Sequence, residues 1–317
     1  MKILNTNLWK KSAMIFGLAA VVLFSSCKKD EDEMPANQSI TDIVVANNNF
    51  SLLKAALMHA GLTDVLAGDG SFTVFAPNNE AFVSAGLDTE AKIKALPVET
   101  LKNILMYHVL GQQVASSAIA TASNTPVNTL ADVNVFVTKN TSGVFINGAN
   151  VIQADIMASN GVIHVINTVL MPPAGNIVQA AQANPDFTFL VAAVLRASQG
   201  STNVAQVLSG AGPFTVFAPT NQAFMNAGFA NIDAIRAADP AVLTSILTYH
   251  VIAARVLSSD LTEGAKPATV NGAALTITLN GGAKVKGDKN TTAAVIAPAN
   301  MLTTNGVIHV IDQVLLP

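Results

Sequence analysis

FTVFAPNNEAFVSAGL, residues 72–87, and FTVFAPTNQAFMNAGF, residues 214–229, share eleven of sixteen positions without a gap, at a fixed offset of 142 residues. Self-similarity of that kind marks two copies of one structural unit. The stretch reads as strand, stop and helix. Phe72 to Phe75 is a β-favouring run with apolar bulk on both faces. Pro77 cannot donate to a sheet ladder and ends the strand. Asn78, or Thr220 in the second copy, is a good helix N-cap, and Glu80 falls in the first turn, where the helix dipole favours an anion. Phe82 turns to the core, and Gly86 suits a left-handed helix end.

Two further motifs recur in the same order. Tyr107-His108 and Tyr249-His250 each end an amphipathic helical pattern. NGVIHVINTVLMP (160–172) and NGVIHVIDQVLLP (305–317) agree at ten of thirteen positions, at an offset of 145. Three residues have therefore been added between the Tyr-His pair and the last strand of the second copy, as is common in connecting loops.

Around these anchors the periodicity predicts helices at Thr41–Ala46, at Phe50–Ala60 and in a short turn through Leu66, then one opened by Pro97. Strands follow near 134–138, 144–146, 151–156 and 162–169. The second unit repeats the order, with helices at Asn176–Ala183, Phe187–Arg196 and near 204–208. Its strands are expected near Thr269–Asn271, 275–279, 284–286, 293–296 and 307–314. MPPAG (171–175) reads as a turn-forming linker. The expected divisions are residues 38–172 and 173–317.

The segment before residue 38 has a different character. Lys2, Lys10 and Lys11 precede an apolar run from Ala13 to Phe24, which is shorter than the ~20 residues a bilayer span needs. Ser25-Ser26 and the single cysteine, Cys27, come next. Residues 1–27 resemble a bacterial lipoprotein signal, with Phe24 where such signals usually carry Leu. The resemblance implies acylation of Cys27 and an outer-membrane lipid anchor. The charged run Lys28 to Glu33 opens a tether over 28–37 and is similar to the surface-export signal of Bacteroidetes lipoproteins. Surface display is the expectation, with a periplasm-facing placement as the alternative. One cysteine excludes an internal disulfide and a cysteine-based metal site. A formal charge of −3, or −6 once the three lysines are removed, gives no electrostatic reason to expect nucleic acid.

Taken in order, FTVFAP-x-N-x-AF, the Tyr-His pair and NGVIHVI-x-x-VL-x-P resemble the fasciclin (FAS1) domain, and two full copies cover residues 38–317. The resemblance implies an α+β fold of two tandem domains, each a helical layer packed on an antiparallel β wedge or sandwich. It also associates the Tyr-His position with cell adhesion, which makes Tyr107, His108, Tyr249 and His250 candidate binding residues. The competing reading is structural: His bonds the free carbonyls of a helix end while Tyr packs with its hydroxyl wet. Gln153 to Ile166 is similar to the Asp-Ile adhesion segment of animal FAS1 proteins, carried here by Asp155 and Ile156. The second copy has Asn300 and Met301 there, and an Asp turn cap at a strand end is the preferred reading of Asp155.

His164 and His309 lie in strands with apolar residues on both faces. They read as core groups whose ring nitrogens are bonded to backbone. Glu80 aligns with Gln222 and Asp155 with Asn300, so the copies share no acid at either place. The sequence contains no HExxH, GxSxG or Walker loop. No enzyme, cofactor or metal is expected, and a hydrolase would need a cleft with convergent acids or a perturbed histidine. The expected function is adhesion or matrix binding by two displayed modules, whose partner is another protein or a polysaccharide at the cell surface. The alternative is an accessory glycan binder of an outer-membrane carbohydrate-capture system. Aromatic platforms for sugar are scarce, since Tyr107 and Tyr249 are the only tyrosines and Trp9 the only tryptophan.

Overall fold

The computed structural model describes residues 38–317; the expected signal segment 1–27 with Cys27, and the expected tether 28–37, lie outside the described residues. The first module contains α1 (Ile40–Ala46), α2 (Ser51–Ala60), α3 (Thr63–Ala67), β1 (Phe72–Pro77), α4 (Asn79–Ser84), α5 (Glu90–Lys94) and α6 (Val98–Tyr107). It continues with β2 (Val109–Leu110), β3 (Ala122–Asn128), β4 (Asn134–Asn140), β5 (Gly143–Ile146), β6 (Ala149–Ala158) and β7 (Gly161–Ile166). The second module repeats the order with α7 (Ile177–Ala183), α8 (Thr188–Ala197), α9 (Val204–Ser209), β8 (Phe214–Pro219), α10 (Asn221–Asn226), α11 (Ile232–Ala237) and α12 (Pro240–Tyr249). Its later strands are β9 (Val251–Ile252), β10 (Thr276–Thr278), β11 (Lys284–Lys286), β12 (Ala294–Val295), β13 (Met301–Thr303) and β14 (Gly306–Ile311). This is the α+β architecture that the motifs implied.

Local chemistry places the helices. Ser39 and Asp42 form a reciprocal capping box on α1, and Asn176 with Gln179 does the same on α7. Asn78 and Thr220 cap α4 and α10 by accepting from Ala81 and Ala223 amides. Gly61 and Gly86, at φ +66° and +76°, end α2 and the turn after α4 in the left-handed region. The short α5 and α11, and the two-residue β2 and β9, are beyond what the periodicity predicts.

The first module's sheet runs β2-β1-β7-β6-β5-β4-β3. Contrary to the antiparallel expectation, β1 and β7 pair in parallel, with Phe72 opposite Gly161 and Pro77 opposite Ile166. A parallel pair needs a long crossover, and everything from α4 to β6 supplies it. These two strands divide the interior. Val74, Ala76, Ile163 and Val165 face the helices, whereas Phe75 and Ile166 face a second cluster with Val135, Val137 and Ile146.

In the second module the same ladder is split into β13-β14-β8-β9 and β10-β11-β12. Residues 294–303 correspond to β6 at the offset of 145, and Pro298 interrupts them because proline brings no N–H to the ladder. Thr269–Asn271, expected as a strand, is a turn closed by the Gly272 N–H on the Thr269 carbonyl, beside a single Ala268–Ala274 bridge. Gly272 at φ +97° and Pro267 leave no run long enough for a strand.

The modules touch through side chains that differ between the copies. The Asp260 carboxylate accepts from Asn124 Nδ2 at 2.8 Å and from Thr138 Oγ1 at 3.0 Å. Asn124 Nδ2 also donates to the Arg255 carbonyl, and Asn140 Nδ2 to that of Ser259. The Arg255 guanidinium lies 3.8 Å from the centre of the Phe136 ring. The positions equivalent to Arg255 and Asp260 in the first copy are Gln113 and Ala118.

Candidate functional site

The Tyr-His pairs lie at the junction between the helical layer and the sandwich. Tyr107 is fully buried at the last residue of α6, and its hydroxyl is not wet, as the sequence had suggested, but enclosed. It donates to the Asn134 carbonyl and accepts from Asn147 Nδ2, each at 3.0 Å. Burial pushes its pKa up to about 12. Tyr249 repeats the arrangement with other partners, donating to the Ala274 carbonyl at 2.8 Å and accepting from the Asp288 amide at 2.9 Å.

His108 caps α6 from inside the protein. The Leu170 amide donates to its Nε2 at 2.9 Å, so that nitrogen is the acceptor and Nδ1 carries the hydrogen given to the Ile104 carbonyl at 2.7 Å. His250 does the same between Leu315 N and Ile246 O. Burial lowers the pKa of both rings to about 4, so both are neutral at pH 7. Each ring ties the end of a helix to the segment after the last strand.

His164 and His309 have both ring nitrogens bonded to backbone, as expected. Nδ1 accepts from the amide of Asp155 or Asn300 at 3.2 Å. Nε2 then donates to the carbonyl of Val114 at 2.9 Å or of Val256 at 2.8 Å. The rings stack on Phe75 and Phe217 at 6.0 and 5.6 Å.

Asp155 stands in a bulge in the middle of β6, not at a strand end, with φ +61°; Asn300 has φ +62°. Asp and Asn tolerate that left-handed conformation better than other side chains. The Asp155 carboxylate accepts from the Ser116 amide at 2.8 Å and from the Ser116 hydroxyl. Those bonds hold its pKa below the usual carboxylate range. Asn300 makes equivalent bonds to Ser258 with a neutral amide, its Nδ2 donating to the hydroxyl. Asp155 is exposed, whereas Ile156 is half-buried against the helical core.

Ser116, Asp155 and His164 thus come together without forming a nucleophile. The carboxylate binds the serine, but the histidine ring meets the backbone amide of Asp155 and has no free nitrogen to take the serine proton. The second copy keeps the geometry without the acid. The clasp therefore fixes the 3₁₀ turn at Ser116–Ala118 against β6.

Asn147, Asn160, Arg255 and Asp260 escaped the sequence reading. Asn160 accepts from the Ile40 amide and donates to the carbonyls of Leu66 and Gly68, and Asn305 repeats all three bonds. The repeated Asn-Gly pair carried that signal; Asn147, Arg255 and Asp260 lie outside any repeated motif.

Comparison with known proteins agrees with the repeated motifs. A model of the fasciclin domain family matches residues 48–172 and 185–317, so the chain belongs to that family and carries its domain twice. The transforming growth factor-beta-induced protein ig-h3 of Sus scrofa is 26% identical over 314 residues, covering 96% of this chain and 44% of its own length. Human periostin is 29% identical over 258 residues, 81% of this chain and 29% of its own. The chain therefore spans less than half the length of these relatives. The immunogenic protein MPB70 of Mycobacterium bovis is 33% identical over 138 residues, 44% of this chain and 67% of its own. Among solved structures, a FAS1 domain pair from the insect cell adhesion molecule fasciclin I is similar over 87% of this chain and 96% of that one. Its TM-score is 0.42 and its sequence identity 20%.

Proposed function

We propose that the protein is a non-enzymatic adhesion or matrix-binding protein, held by an acyl group on Cys27 to the outer membrane and displayed at the cell surface. The observation that carries this reading is the use of the motif side chains. The tyrosine and histidine atoms of Tyr107, His108, Tyr249, His250, His164 and His309 that form hydrogen bonds do so within the protein, so the motifs shape modules and leave recognition to their surfaces. A cleft of about 680 Å³ between the modules, with Asn147, Gly148, Met171, Asn184, Asn300 and Met301 among its walls, has no charged residue in its lining. It suits an uncharged partner surface of protein or polysaccharide.

In this reading the Tyr-His pairs act at one remove, by holding the loops that partners would meet. Accessory glycan capture ranks second. Both tyrosines are buried and offer no stacking platform, and the amides of Asn147 and Asn300 are already committed to internal bonds. Two modules joined side by side gain avidity on a repeating target. Protease treatment of intact cells should cut the modules, and Cys27→Ser should release the protein into the soluble fraction. Adhesion of cells to matrix should fall with that release. Full protection from protease, or unchanged adhesion of cells that have shed the protein, would refute surface adhesion.

A further inference from the structure

The two copies pack their helical layers unequally. Val44 and Leu57 of the first copy correspond to Ala181 and Val194 of the second, at the offset of 137 residues that α1/α7 and α2/α8 share. The second copy is thereby three carbons poorer at one spot. There it has an apolar cavity of about 60 Å³ between α7, α8 and α9, walled by Ala181, Leu190, Val194, Leu208, Val216 and Ile308. Of its polar neighbours, His250 has both ring nitrogens committed to Ile246 and Leu315, and Gln182 is exposed at the mouth with Leu195. Nothing inside offers a hydrogen bond, so whatever enters must be hydrocarbon there. A cavity of about 60 Å³ takes the end of one hydrocarbon chain rather than several chains.

Val191 and Leu195 also border a second groove, of about 520 Å³, on the far side of α8 toward α11. It holds two cations, Arg196 and Arg236. Arg196 is anchored through Nε to the Ala238 carbonyl and through one terminal nitrogen to Gln199. Arg236 pairs with Asp233 at 3.1 Å on the exposed surface, so the groove keeps a net positive charge. An apolar slot and a cationic groove thus share one ridge of aliphatic side chains.

We propose that the second module binds a single-chain anionic amphiphile of the fatty-carboxylate type. Its tail end enters the cavity, its chain crosses the Val191–Leu195 ridge, and its carboxylate meets Arg196 and Arg236. A dispersed molecule is the fitting source, because a recess for one chain matches a free amphiphile better than a bilayer face.

The test titrates the full chain with dodecanoate below its micelle concentration and follows methyl resonances. Saturable shifts at Val191, Val194, Leu195 and Leu208 are expected, with dodecyltrimethylammonium about tenfold weaker. Ala181→Val with Val194→Leu, which restores the first copy's own residues, should weaken dodecanoate about tenfold and raise Tm. Should that pair overpack the core, Arg196→Gln with Arg236→Gln provides the second arm. It should weaken dodecanoate about tenfold while leaving dodecanol unchanged. Equal binding of the cationic amphiphile overturns the proposal. So do unchanged affinity in the arginine variant and shifts spread equally over first-module methyls such as Leu57 and Leu66. Uptake seen only with vesicles overturns it as well.

Discussion

At the scale of single residues, the buried histidines set how the protein answers acid. His108 and His250 have pKa values of about 4, against an ordinary histidine value of 6.5. Between those values an unfolded chain binds protons that the folded one refuses. The contribution of these two rings is therefore complete above about pH 6.5, declines as pH falls toward 4, and changes no further below that. The loss is on the order of 3 kcal/mol per ring. Burial lowers His309 in the same direction. Thermal midpoints at pH 7 and 4.5 check this, and a flat profile would contradict the buried geometry. Asp155 gives a second test at this scale. Asp155→Asn copies the second module and should be nearly neutral. Asp155→Ala loses the Ser116 clasp and places alanine in the left-handed region, costing about 2 kcal/mol in chemical denaturation.

At the scale of elements, Asn160 and Gly161 join three pieces of backbone. Asn160 binds the first amide of α1 and two carbonyls at the end of α3, and a Cβ at Gly161 would sit 2.1 Å from the Phe72 carbonyl oxygen. Asn160→Ala strands those groups in a buried setting. About 3 kcal/mol should be lost, read as a lower denaturant midpoint at constant slope. Much at this scale was legible because the determinants are local. Pro77, Asn78, Gly61 and Gly86 act on their own neighbours, and the alternation in 161–166 shows which side chains share a face. The parallel pairing of β1 with β7 was not legible, since residues so far apart carry no mark of direction. Nor did local pattern show that Tyr107 would be enclosed, because Asn134 at the start of β4 and Asn147 in the turn between β5 and β6, which satisfy its hydroxyl, come from 27 and 40 residues further along the chain.

At the scale of the whole molecule, the copies have diverged where they meet. Arg255 and Asp260 stand where the first copy has Gln113 and Ala118, and Asn124 reaches them from a bulge at φ +54°. A repeat comparison treats such differences as noise, which is why the joint between the modules was invisible in the sequence. Asp260→Ala removes the acceptor for Asn124 and Thr138 and leaves Thr138, a fully buried residue, without that partner. Combined with Arg255→Ala, it should let the modules melt separately. Calorimetry should resolve one transition in the parent and two in the double variant; a single unshifted transition in the variant would show that Arg255 and Asp260 carry none of the coupling energy.

The parallel ladder at the centre of each module has a consequence for how the polypeptide comes into being. Phe72 must wait for Gly161, 89 residues further along (161 minus 72), before the middle of the first sheet can close. Closure over such a distance is slow, because loop entropy is spent before any contact rewards it. A nascent chain released before Asn160 should remain open and be digested quickly in pulse proteolysis, and one released after Leu170 should resist. Each module therefore arrives all at once. Until its last strand is delivered, the chain stays loose enough to be threaded through a narrow passage.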